Sequence, residues 1–300
     1  MRGLWVIGAA TAALAGGAQA AELEIKHAAA RVVVIPEARS DVQVTITPGA
    51  ARLPQLEVRR NGASVEIDGD LRNRIRECGL RGVGVIRDTG NPLRPDSQLS
   101  VEIRDHGRIR VADLPLITAR VPLDADVSAG GAVWGSVGRA RSLELGAAGC
   151  GDWTVANVSG PLKISVAGSG DVSAGTSTRA DVSVAGSGDV RLGPVSGPLN
   201  ASVAGSGDVH VASVAGDIDA SIAGSGDIVV AGGRGGALDA SIAGSGDIRV
   251  DGPVQSLDAS VLGSGDIAVA SVSGNVSQSV MGSGDIVVAG RALPRRGRRD

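Results

Sequence analysis

Eight aspartates, Asp152, Asp171, Asp189, Asp208, Asp227, Asp247, Asp266 and Asp285, follow one another at intervals of 19, 18, 19, 19, 20, 19 and 19 residues. Seven of them end an invariant Gly-Ser-Gly-Asp, and the first ends Gly149-Cys150-Gly151-Asp152. A row of carboxylates can do two things. It can hold hard cations such as Ca²⁺, which take carboxylate and carbonyl oxygens. It can also accept hydrogen bonds from Gly or Ser amides at a repeated Asx-type corner. In either case, carboxylates stacked about 4.8 Å apart repel by roughly 0.9 kcal/mol per pair in water, so something must offset the repulsion. The nine-residue glycine-rich repeat that carries calcium in β-rolls is absent, and the corner reading is the stronger.

The serines beside these aspartates form a second row: Ser169, Ser187, Ser206, Ser225, Ser245, Ser264 and Ser283. A nucleophilic serine needs a base oriented by a third group. The chain has only His27, His106 and His210, in unrelated places, so a ladder of hydroxyl hydrogen bonds is expected and no catalytic residue is assigned. Cys78 and Cys150 are the only cysteines, which in an exported chain favours a disulfide between them.

The elements that position these residues have period two. In Leu199–Val211, the residues Leu199, Ala201, Val203, Gly205, Gly207, Val209 and Val211 alternate with polar or small ones straight through the motif, a strand pattern. The odd positions point inward, and the column Val190, Val209, Ile228, Ile248, Ile267 and Ile286 stays aliphatic. A 19-residue unit with two main strands and no helical stripe is too short for a βα repeat. The fold class expected is all-β: a single-stranded parallel β-helix, right-handed by the crossover rule, whose eight coils span about 38 Å. Trp153 falls in the inward column near the entrance of the array, and Gln278 and Met281 break the pattern in the last coil.

The reiterated Gly-Ser-Gly-Asp-Ile/Val, with Leu-Asp-Ala-Ser-Ile/Val upstream, resembles the GIN-domain family, described as the head of autotransporter adhesins. The likeness extends over most of the mature chain, with Leu23–Ile46 similar to the family's opening. It implies a β-helical, envelope-associated domain and supplies no catalytic residues. The barrel translocator of a complete autotransporter is not in this sequence.

Residues 1–20 read as an export signal: Arg2, an apolar run from Leu4 to Leu14, and Ala18-Gln19-Ala20 before cleavage. Residues 21–120 form an irregular β region, read as degenerate coils, with short strands at Leu23–Ile25, Val32–Ile35, Val42–Ile46, Leu56–Val58, Val65–Ile67 and Val101–Ile103. An arginine-rich excursion interrupts it over 71–98, the regular array runs over 121–290, and 291–300 is a basic tail suited to anionic envelope lipids.

Phe and Tyr are absent, which disfavours both an outer-membrane barrel and an aromatic sugar groove. A net charge of −3 without a basic patch disfavours nucleic acid, and no transmembrane segment is expected once the signal is removed. The expectation is an exported, non-catalytic β-helical module of the periplasm or cell surface, meeting a protein or polysaccharide partner. A calcium-dependent scaffold is the alternative, with a polysaccharide-active enzyme behind it.

Overall fold

The computed structural model describes residues 21–79 and 99–294; the expected export signal, most of the arginine-rich excursion and the end of the basic tail lie outside them. No helix among the described residues is long and apolar enough to cross a membrane.

The array is a parallel β-solenoid. Each coil carries a longer strand, such as Leu199–Gly205, and after the corner a second one, such as Val209–Val214. Within the array such strands pair in parallel with their counterparts one coil below and, up to the last coil, one coil above, in register: Val184 with Val203, and Val203 with Ile222. Alternation dictates this register, because a slip of one residue would carry the aliphatic column to the outside. Leu199, Ala201, Val203, Gly207, Val209 and Val211 are buried, as the period-two pattern predicts, while Gly205, also expected inward, is only half-buried at the corner. The core is one continuous column of Val, Ile, Leu and Ala, each large member of which contributes about 1.5–3 kcal/mol by leaving water. The indole of Trp153 widens that core locally. It lies over Gly135 of the preceding coil, where a Cβ would come within 2.3 Å of the ring.

The N-terminal region joins the same stack. Leu23–Ile25 and Val32–Ile35, expected as separate strands, belong to one strand, Glu22–Glu37. It turns a corner at His27, whose φ is 49°, and its register against Asp124–Val137 shifts between Ile25 and Ala28. The apolar runs on both sides stay in the sheet because the corner is absorbed by a bulge. Two antiparallel strands close this end. Gln43–Thr47 pairs with Leu116–Pro122, and Glu57–Asn61 pairs with Ser64–Asp68.

A separate three-stranded antiparallel sheet, Ile75–Gly79, Ser100–Ile103 and Gly107–Arg110, lies against the outside of the stack. Its own core is Leu71, Leu99, Val101, Ile103, Val111 and Leu114, packed on Ala29, Ala132 and Trp134.

Candidate functional site: the aspartate corner and the flat outer face

The corner is built from backbone first. The leading glycine of each motif has φ between 139° and 154°, a region that L side chains rarely adopt. At Gly205 an added Cβ would also stand 2.2 Å from the carbonyl oxygen of Gly186. That carbonyl accepts two amides from the coil above, Ser206 N–H at 2.9 Å and Gly207 N–H at 3.2 Å. The two coils approach closely enough for this only without side chains.

The aspartate completes the corner. From Asp171 onward, each amide of the row donates to the Oδ1 of the aspartate one coil below, at 2.9 Å from Asp171 to Asp152 and from Asp189 to Asp171, and 3.0 Å from Asp208 to Asp189. The series continues from Asp227 to Asp208 at 2.9 Å, from Asp247 to Asp227 and Asp266 to Asp247 at 2.8 Å, and from Asp285 to Asp266 at 2.7 Å. The bend takes this amide off the carbonyl ladder, and the carboxylate stands in for the missing acceptor. The expected donors were Gly and Ser amides of the same corner; the donor is the next aspartate, because those amides are taken by the glycine carbonyl. Arg191 adds a cation near the start of the row, 3.0 Å from Asp189 and 3.9 Å from Asp171. Burial pushes the Asp171 carboxyl up, against the Asp189 amide that holds it down. Among the described residues no three His, Cys, Asp or Glu side chains converge as metal ligands.

Between Ser169 and Ser264 the serine row shows one hydroxyl contact, Ser187 to Ser206 at 3.3 Å. The row's regular contribution is its amides.

Cys78 and Cys150 form the expected disulfide, with Cα atoms 5.8 Å apart. Register explains its position. Ala29 pairs with Ala132, and Gly131 with Gly149, so Ala29, Ala132 and Cys150 are successive rungs of the column that becomes the serine row. The side sheet covers these three rungs, and Cys150 is where it is pinned. Trp134, in the aspartate column, is buried under the same sheet and is no surface platform.

A second acidic column lies on the outer face of the longer strands: Asp181, Asn200, Asp219, Asp239 and Asp258 in consecutive register. Its signal was the Asp of Leu-Asp-Ala-Ser. Asn200 Nδ2 donates to Asp181 Oδ1 at 2.5 Å. Burial, followed by the Asp219 and Asp258 charges, pushes the Asp239 carboxyl up. Beside this column run the outward serines Ser165, Ser183, Ser202, Ser221, Ser241, Ser260 and Ser279, and then a column of alanines that ends in Leu262 and Met281. A shallow groove of about 350 Å³ follows these rows past Lys163, Ser165, Asp181, Ser183, Asn200 and Ser202.

No curated protein matches the chain. Among solved structures it is similar to one from Parabacteroides distasonis described as "Putative lipid binding protein", with 17% identity, coverage of 90% of this chain and 92% of that one, and a TM-score of 0.37. Residues 195–292 match the model of the family described as "Putative auto-transporter adhesin, head GIN domain", which bears out over that stretch the resemblance carried by the Gly-Ser-Gly-Asp repeats.

Proposed function

We propose that the protein is an exported, non-catalytic module of the cell envelope or surface that uses the flat outer face of its longer strands to hold a protein or polysaccharide partner. The observation that carries this reading is the in-register row of seven outward serines, flanked from Ser183 to Ser260 by acid or amide groups on one side, and on the other by alanines that give way to Leu262 and Met281. Rows repeated every coil, about 4.8 Å apart, offer many equivalent weak contacts, and linked weak contacts gain affinity steeply with their number. The family description over residues 195–292, an adhesin head, supports a place at the surface. An enzyme of this architecture would need a local acid, base and electrophile. Here acids repeat evenly along the columns, which supports binding over catalysis.

The test is quantitative binding of the oxidised protein to whole bacterial cells and to purified envelope polysaccharide. Two variants are compared: Ser202→Glu with Ser221→Glu, and a deletion of one whole coil, residues 209–227. The charged face is expected to abolish binding and the shortened array to weaken it several-fold, both with melting retained. Binding that neither change affects would overturn this use of the face.

A further inference from the structure

The last coils differ in chemistry from the rest of the array. Every interval between successive ladder aspartates holds an ionisable side chain, from Lys163 in the first to Arg249, Asp251 and Asp258 in the sixth, except the last. From Ile267 to Gly284 there is none. Large apolar side chains face outward here instead. Met281 is 68% exposed, and Leu262, one rung below it in register, is 57% exposed. Both stand in the outward column that holds alanine at Ala223 and Ala243. The core does not ask for them, because Val261 and Val280 beside them are the residues that pack inward.

Positive charge gathers next to this patch. Residues 259–300 hold five arginines, Arg291, Arg295, Arg296, Arg298 and Arg299, against three aspartates, in a chain whose net charge is −3. Arg291 is exposed in the antiparallel return Arg291–Ala292. Gln278 Nε2 donates to the carbonyl of Pro294 at 2.8 Å, so Arg295 follows from a point tied to the strand Val276–Gly282. Along that strand Gln278 is three residues, about 10 Å, from Met281. Of the three aspartates, Asp266 and Asp285 stand in the ladder past the corner, where Oδ1 of Asp266 accepts the Asp285 amide at 2.7 Å.

We propose that the rim of the last coils seats on an anionic lipid bilayer, with Met281 and Leu262 entering the headgroup layer and the arginines that follow meeting lipid phosphates. Two exposed apolar side chains alone hold a protein on a membrane weakly, and so does a short run of arginines. Together they supply the two signals that anchoring takes. The missing charge from Ile267 to Gly284 follows the same logic, since an ionised group pressed against headgroups would lose hydration without gaining a partner. The arginines also choose the occupant. They come as a run, which suits a diffuse negative surface, whereas a protein carboxylate is matched by a single placed guanidinium. The serine row then climbs away from the bilayer towards Ser165, and the inference is independent of what that row holds.

The experiment is sedimentation of the intact oxidised protein with vesicles, one set of phosphatidylcholine alone and one with about a third phosphatidylglycerol. Binding is expected to be at least about ten-fold tighter to the anionic set and to weaken as salt is raised. Leu262→Ser with Met281→Ser is expected to weaken it about ten-fold with melting unchanged. Arg295→Gln, Arg296→Gln, Arg298→Gln and Arg299→Gln together are expected to weaken it about a hundred-fold. Val58→Ser removes another exposed apolar side chain, at the opposite end, and leaves binding in place. Ser202→Glu with Ser221→Glu also leaves it in place, because those rungs lie about 14 Å or more from that of Met281, beyond the Debye length, so this proposal and the use of the serine face fail separately. In a Met281→Trp variant the added emission is expected to shift to the blue on anionic vesicles. No binding to either set would leave the patch to a protein partner and overturn the proposal. Equal binding to both sets, an unshifted emission, or binding that survives the loss of Leu262 and Met281 would overturn it as well, the last being the mark of a tail acting alone.

Discussion

The amide of Asp247 donates to Oδ1 of Asp227 at 2.8 Å, while the amide of Asp227 donates to Oδ1 of Asp208 at 2.9 Å. Asp227 is therefore donor to one coil and acceptor from the next. Asp227→Ala strands the Asp247 amide and is expected to cost about 2 kcal/mol, the usual worth of a hydrogen bond to a charged group. Asp227→Asn keeps an acceptor oxygen and removes repulsion along the row, so its unfolding free energy from urea melts is expected within about 0.5 kcal/mol of the parent. Because an Oδ1 of each step is already engaged, millimolar Ca²⁺ is expected to leave the melting temperature unchanged. A rise of several degrees would make the row a cation site after all.

Ser177 supplies a second expectation. It is 4% exposed, pairs with Val195, and its hydroxyl has no hydrogen-bond partner. Val195 in turn pairs with Val214, so a polar atom sits in a valine column. A buried, unsatisfied hydroxyl costs about 1–3 kcal/mol. Ser177→Val should stabilise the protein by about 1 kcal/mol, seen as a rise of roughly 2–4 °C in a thermal melt.

The pH dependence has two opposed parts. Asp239 has its carboxyl pushed up by burial and by Asp219 and Asp258, so its charged form costs stability at neutral pH, and that cost disappears as pH falls through the raised value. Asp239→Asn should thus be more stable than the parent at pH 7, with the gain vanishing in acid. Asp124 is the reverse: hydrogen bonds from Arg141 and Ser142 hold its carboxyl at about 2. Its stabilisation is present above the ordinary value of 3.8 and is lost as pH falls towards about 2. Asp124→Asn should be less stable than the parent at pH 7 and indistinguishable from it at the acid end, in urea melts run at each pH.

The disulfide closes a separation of 72 residues. Loop-closure entropy sets its contribution at about 4 kcal/mol as an upper figure. Reduction, or Cys78→Ser with Cys150→Ser, should release the side sheet before the stack. Trp134 lies under that sheet and Trp153 inside the stack, so the fluorescence of a Trp153→Leu variant should shift to the red on reduction well below the denaturant concentration that melts the array.

What could be read in advance was whatever repetition made redundant. Val209 and its column, the small residues of the corner and the inward place of Trp153 all followed from alternation, since a strand buried on one face has no other register. Trp134 could not be placed that way. Its burial depends on a side sheet made of short antiparallel strands, whose pairing Ile75 to Ile103 has no local signature. The donor to each carboxylate was hidden for a different reason. It lies 18 to 20 residues away in the chain and adjacent only after stacking. Likewise, His27 has nothing in its neighbourhood to announce a bend inside a continuous strand.

The Asp227 relationship has a consequence for how such a molecule can change over generations. Each coil hands upward the same acceptors it receives from below, so inserting or deleting one whole repeat recreates an identical seam. The number of coils is then nearly neutral to the fold, and duplication can lengthen the protein as one adds links to a chain. What cannot be copied freely are the places where the repeat is broken: the rung pinned at Cys150 and the last coil, whose stretch from Ile267 to Gly284 carries no ionisable side chain.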